Sequence, residues 1–187
     1  MRVIAGLAKG VRLGPVPAGT RPVSDRAREG LFASLAGLVV GARCLDLFAG
    51  TGAVGIEALS RGASHCTFVE RSRPGANAIR QNLVRTKLTD RAVVQARDVQ
   101  AYLRRPSPGA ANFDLVFVDP PYETGPQALG EVVAALDAGW LATRTWTAVV
   151  TRGQKGSLPA VPLHWAVWRQ LRYGDSLLTL YREVGWA

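Results

Sequence analysis

The chain has 187 residues, 48% of them hydrophobic, enough for one domain with a sizeable core. Its 20 Arg and 3 Lys outweigh 14 acids, leaving a net charge of +9, and guanidinium forks match phosphates and stack on bases, so a polyanionic partner is favoured. It has no apolar run of about 18 residues to span a membrane, and Met1-Arg2-Val3-Ile4 leads at once to Gly6 and Lys9, unlike a signal peptide, so a cytoplasmic protein is expected.

Residues 1–20 read as an irregular hairpin or arm: Arg2–Ala5, then Gly6–Gly10, then Val11–Leu13, then Pro15, Pro17 and Gly19. The expected division is this arm over 1–20 and a main domain over 21–187. The basic excess gathers at this end, where Arg2, Lys9, Arg12, Arg21, Arg26 and Arg28 face only two acids in residues 1–40. Ser24 predicts an N-cap for a helix over about Asp25–Ala36. Its buried stripe of Ala27, Leu31, Leu35 and Leu38 leaves Arg26 and Arg28 for the surface.

From Arg43 onward, strands and helices alternate. Strands are predicted at 44–48, 66–70, 92–96, 113–118 and 146–150. Helices are predicted at 53–61, 72–85, 99–104 and around Leu129, Val132, Val133 and Leu136. Continuous apolar strands separated by helices imply a parallel sheet covered on both faces. The C-terminus differs, because residues 164–172 and 176–182 both read as strands split only by Tyr173-Gly174-Asp175. The expected fold is therefore α/β, a Rossmann-like, mostly parallel seven-stranded sheet ending in an antiparallel hairpin. Cys44 and Cys66 fall in apolar strands, and two cysteines alone make a poor metal site, which predicts buried free thiols and no metal site. His65 and His164 also fall in strands and read as structural residues.

Gly50-Thr51-Gly52-Ala53-Val54-Gly55 fits G-x-G-x-x-G after a strand and before a helix, and Glu70 follows 20 residues after Gly50. Both features suit an adenosine-bearing cofactor, so a nicotinamide oxidoreductase is one candidate. Asp46, four residues before Gly50, argues against it. A carboxylate there would repel a pyrophosphate at the helix N-terminus. S-adenosylmethionine carries an ammonium and a sulfonium and no phosphate, and an acid suits it. Asp98, after the third strand, stands where an adenine edge could be read.

Asp119-Pro120-Pro121-Tyr122 directly follows the apolar run ending at Val118. Neither proline can donate to a sheet ladder, so the chain turns sharply at the strand end. The turn holds a carboxylate, a rigid carbonyl and an aromatic ring. In a parallel sheet, the ends of the first and fourth strands face one crevice, so this turn and the glycine loop should converge. Asp119 and the Pro120 carbonyl can each accept an N–H from an exocyclic base amine, freeing its lone pair to attack a methyl group. Tyr122 would stack on the flipped base.

These residues make the chain similar to class I S-adenosylmethionine-dependent methyltransferases. Within them it resembles the RsmD family, which methylates N2 of a guanine in bacterial 16S ribosomal RNA. The likeness rests on Arg2-Val-Ile-Ala-Gly6, Gly10-Val-Arg-Leu13, Arg21-Pro-Val-Ser-Asp-Arg-Ala-Arg-Glu29, Leu45–Ala58 and Phe117–Tyr122. It implies catalysis by Asp119, Pro120, Pro121 and Tyr122. It implies cofactor contacts from Asp46, Phe48, Ala49, Gly50, Thr51, Gly52, Glu70, Arg71, Asp98 and Val99. RNA contacts would come from Arg2, Lys9, Arg12, Arg21, Arg26 and Arg28. The implied partner is 16S rRNA in the small ribosomal subunit, bound by a monomer without metal. Asp-Pro-Pro-Tyr also occurs in adenine-N6 methyltransferases, and a basic RNA-binding module with a vestigial site is the non-enzymatic alternative.

Overall fold

The computed structural model describes residues 1–15, 23–106, 112–121, 123–143, 145–154 and 156–185. Seven strands form one sheet: β1 (Arg43–Leu47), β2 (His65–Val69), β3 (Ala92–Gln95), β4 (Leu115–Val118), β5 (Thr147–Gly153), β6 (Trp165–Tyr173) and β7 (Ser176–Glu183). Among the described residues five α-helices accompany them: α1 (Asp25–Ser34), α2 (Ala53–Ser60), α3 (Arg73–Thr86), α4 (Val99–Leu103) and α5 (Pro126–Asp137). The strand order is β3-β2-β1-β4-β5-β7-β6. The first five strands are parallel, whereas β7 joins both β5 and β6 antiparallel. The order reverses between β1 and β4, which opens a crevice at their C-terminal ends.

Local chemistry accounts for the elements. Ser24 and Ser72 accept N–H groups at the starts of α1 and α3, and Pro74 sits in α3's first turn, where its missing N–H costs nothing. The central strands alternate between two cores. Cys44, Leu115 and Phe117 face α1, α2 and α3, whereas Leu45, Leu47, Val116 and Val118 face α4 and α5. β7 takes the interior position beside β5 because Leu178, Leu180 and Tyr181 are buried, whereas β6 is studded with exposed Arg169 and Arg172 and suits an edge. The fourth strand is shorter than expected, with Phe113 instead forming an isolated bridge to Leu141. Cys44 and Cys66 are free and buried, and burial pushes both thiols up.

The described part of the arm is a small hairpin. Val3 N–H donates to Val11 O at 3.0 Å, Gly10 N–H to Val3 O at 2.9 Å, and Arg2 pairs opposite Arg12. It is docked on α2. Val3, Ala8 and Leu13 join the core beneath α1 and α2. Glu57 accepts the N–H groups of Ile4 at 2.8 Å and Ala5 at 3.1 Å. Gly6 approaches α2 so closely that a Cβ would fall 1.8 Å from Ser60 O.

One expectation fails here. Arg28 is 0% exposed. Its guanidinium reaches Asp25 at 2.7 Å, Arg2 O at 2.8 Å and Glu57 at 3.5 Å. It shares a helical stripe with buried Phe32 and Leu35, and it closes the joint between arm, α1 and α2. It is a structural cation with no surface to offer a phosphate.

Candidate active site

The glycine loop is shaped by three separate demands. Gly50 and Gly52 adopt φ of 56° and 75°, which an L side chain resists. Gly55 lets α2 lie on the sheet, since a Cβ there would meet Phe68 at 2.4 Å and Cys66 Sγ at 2.7 Å. Phe48 also holds a positive φ, 59°, a strained conformation of the kind found at ligand sites. The loop is fixed by side chains from other elements. Glu70 accepts Gly50 N–H at 2.9 Å, Asp46 accepts Gly55 N–H at 2.9 Å, and Asn82 donates to Thr51 O at 3.0 Å.

β1 and β4 pair in the register Leu47↔Val118, so Phe48 and Asp119 leave the sheet side by side. The chain then turns, and Thr124 N–H donates to Pro121 O at 3.0 Å. A cavity of about 680 Å³ lies between the glycine loop and this turn. Asp46, Phe48, Ala49, Gly50, Thr51, Glu70, Arg71, Asp98, Val99, Asp119, Pro120 and Pro121 all line it. Gly52 does not; it is the buried N-cap of α2. Tyr122 and Arg21 lie outside the described residues. Arg2, Lys9, Arg12 and Arg26 are exposed.

The cavity is electrostatically unfinished. Burial pushes the Asp46 carboxyl well up, the Gly55 N–H pulls it back in part, and the charges of Asp119 and Glu70 push it further up. Burial lifts Asp119 to about 7 against a hydrogen bond from Thr151, which favours its ionised form. Among the described residues, no cation forms an ion pair with Asp46, Glu70, Asp98 or Asp119. Asp98 spends one oxygen on the N-terminus of α4, accepting Ala101 N–H at 3.0 Å, and keeps the other. Such a wall favours a cationic ligand and repels a pyrophosphate. Among the described residues there is no group of three His, Cys, Asp or Glu that could hold a metal ion.

Sequence reading missed part of this wall. Thr151 and Arg152 lie near the end of β5, and Arg152 is buried while donating from Nη1 to Thr124 O at 2.6 Å, which ties the Asp119 turn to the sheet. Their place after the apolar run of the fifth strand, at the crevice end of the sheet, was the available signal. Val23 and Ser176 also line the cavity and carried none.

Known proteins share this architecture. The family model described as conserved hypothetical protein 95 matches residues 1–182. The ribosomal RNA small subunit methyltransferase D of Escherichia coli (strain K12) is 38% identical over 98% of this chain and 90% of its own. The corresponding protein of Haemophilus influenzae is 34% identical over 98% of this chain and 94% of its own. The solved structure of yhhF from Escherichia coli matches with a TM-score of 0.83 at 38% identity, covering 98% of this chain and 97% of that one. The Rossmann-like methyltransferase sheet, the cavity at its switch point and a match along almost the whole length lead to one assignment: the chain belongs to the conserved hypothetical protein 95 family, that of the RsmD ribosomal RNA methyltransferases.

Proposed function

We propose that this protein uses S-adenosylmethionine to methylate the exocyclic N2 amine of a guanine in 16S rRNA, acting as a cytoplasmic monomer on the small ribosomal subunit. The observation that carries the chemistry is the convergence of Asp119 with Asp46, Glu70 and Asp98 around one cavity, none of them ion-paired among the described residues. When bound, S-adenosylmethionine supplies an electrophilic sulfonium methyl. The carboxylates of this chain match its positive charges: Asp46 and Glu70 flank the glycine loop, and Asp98 offers its free oxygen at the α4 end.

Asp119 does the work on the target. As a carboxylate it accepts one N–H of the amine, and the Pro120 carbonyl accepts the other, turning the nitrogen lone pair toward the methyl donor. Positive charge grows on nitrogen during attack, so Asp119 stabilises the transition state more than the ground state. Pro120 and Pro121 stiffen the turn, and the Arg152–Thr124 bond holds it in place. Tyr122 follows as the stacking ring that would receive a flipped base.

The arm supports an RNA substrate. Arg2 and Arg12 stand directly opposite each other across the hairpin, and both are exposed. Like charges so paired repel, and a phosphate between them removes the penalty. We assign Arg2, Lys9, Arg12 and Arg26 to RNA contact, with the arm as an extension of the catalytic domain.

Labelled methyl transfer to small ribosomal subunits lacking the modification, followed by nucleoside analysis, tests this reading. N2-methylguanosine is the expected product, and predominant N6-methyladenosine would overturn the assignment. Running deproteinised 16S rRNA in parallel shows whether the particle is needed to present the base.

A further inference from the structure

A second cavity, of about 430 Å³, lies between the start of α1 and the β6–β7 turn, and its lining includes Ser24, Arg26, Arg172, Tyr173, Asp175 and Ser176. We propose that it is a phosphate-binding subsite for the single-stranded RNA flanking the target nucleotide. The inference rests on the RNA substrate assigned above, and it joins Arg26, already assigned to RNA contact, to Arg172 and the β6–β7 turn, which are remote in sequence from the arm.

Continuity is the first argument. Ser176 lines both cavities, and the consecutive residues Val23 and Ser24 line the first and the second respectively. A base held at Asp119 therefore brings its neighbouring backbone to this cleft.

Charge is the second. Two exposed guanidiniums stand against one carboxylate, Asp175, and among the described residues neither Arg26 nor Arg172 has a hydrogen-bond or ion-pair partner. Free guanidinium forks of this kind take phosphate oxygens in pairs. The site does not depend on the helix terminus, because Ser24 Oγ already takes the N–H of Ala27 at 3.2 Å.

Rigidity is the third. Gly30 admits Tyr173 so closely that a Cβ would fall 1.6 Å from its hydroxyl oxygen, which locks the hairpin against α1. Gln154 N–H donates to Asp175 O at 2.8 Å, and the Gln154 side chain donates to Gly174 O, which locks the same turn to the end of β5. The two arginines, distant in sequence, are thereby held across one gap. Charges on an edge strand also discourage strand addition, but that role needs no cleft, no locked turn and no continuity with the catalytic cavity.

The test compares wild type with Arg26→Glu, Arg172→Glu, the double variant and the milder Arg172→Gln. Arg104→Glu, on the opposite face of the sheet, is the charge-matched control. Steady-state methyl transfer to unmodified small subunits should show KM for RNA raised about tenfold per reversal with kcat near wild type. Calorimetric affinity for S-adenosylmethionine should be unchanged, which also certifies the fold. Filter binding of a 16S rRNA fragment across a salt series should lose about one unit of log–log slope for each arginine removed. Wild-type KM and slope in the double variant would overturn the subsite. An inactive wild type that still binds RNA with the arginine-dependent slope would instead overturn the proposed reaction and leave the cleft standing.

Discussion

Two places in this molecule bury carboxylates, and they are built on opposite plans. At the joint beneath the arm, Glu57 is fully buried and saturated. It accepts two backbone N–H groups, an Arg61 Nε–H at 2.7 Å and the Arg28 guanidinium at 3.5 Å. At the sheet crevice, Asp46 is buried and Asp119 half-buried, neither is ion-paired among the described residues, and both are pushed up, Asp46 in part by the charge of Asp119. Saturated charge holds structure together, whereas unsaturated charge costs stability and awaits a ligand. Carboxylates withdrawn from water therefore have two meanings here, separated by their partners.

Removing the saturated group should have the largest effect. Glu57→Ala leaves Arg28 in the core with only Asp25 and the Arg2 carbonyl, and it frees the arm's two N–H groups. The expected loss is about 3–5 kcal/mol by urea denaturation, with the arm becoming the first site of proteolysis. A loss below about 1 kcal/mol would show that the joint is not what holds the arm.

Removing the unsaturated group should act in the opposite sense on stability. Asp119→Asn should lower kcat by about 10²–10³ while leaving S-adenosylmethionine binding within a few-fold. The same variant should be more stable at pH 8. Asp119 titrates at about 7 when folded against an ordinary 3.8, so the folded state holds its proton more tightly than the unfolded chain. Stability therefore falls as pH rises from about 4 to about 7 and stays at the lower level above that. Asparagine removes the share of the fall that Asp119 contributes, leaving that of Asp46, and should gain about 1–2 kcal/mol at pH 8, after allowance for the carboxyl's contact with solvent in the cavity. Equal stability at pH 8 and pH 5 for both proteins would break the contrast.

The same titration sharpens the catalytic role. Protonated Asp119 cannot accept an amine N–H, so methyl transfer should decline as pH falls through the Asp119 pKa and plateau above it. A cation bound in the crevice favours the carboxylate and moves this limb below 7. The limb should thus lie lower in kcat, measured with saturating S-adenosylmethionine, than in kcat/KM for the cofactor.

The unsaturated site was far more legible in the sequence than the saturated one. The crevice residues sit on short local signals: a glycine loop after a strand, an acid at the next strand end, a Pro-Pro turn after another. Each of these signals fixes backbone shape within a few residues, and the parallel-sheet rule brings them together. The arm joint has no such signature. Arg28 meets Glu57 across 29 residues and Glu57 meets Ile4 across 53. A charged residue on a helix reads as exposed by default. The stripe Arg28–Phe32–Leu35 was the visible hint, overridden by the equally regular stripe through Ala27. Thr151 and Arg152 were hidden for a different reason. They continue a strand past its expected end at residue 150, and their place at the crevice end of the sheet was a weak signal beside that apolar pattern.

Asn82 connects the two regions and offers the finest test of their independence. From α3 its Oδ1 accepts the Gly14 N–H of the arm at 2.8 Å, and its Nδ2 donates to Thr51 O in the glycine loop at 3.0 Å. Asn82→Asp keeps the shape and the acceptor but turns the donor into a second acceptor facing the Thr51 carbonyl. The arm contact survives, and the loop contact becomes repulsive. If arm and crevice are separate units, this variant should weaken S-adenosylmethionine binding about three- to tenfold while leaving the arm's protease resistance intact. Asn82→Ala, which removes both bonds, should disturb both readouts. Equal loss of arm protection in the aspartate variant would mean that the loop and the arm move as one body, and the distinction between a structural end and a ligand-seeking end of this molecule would not hold.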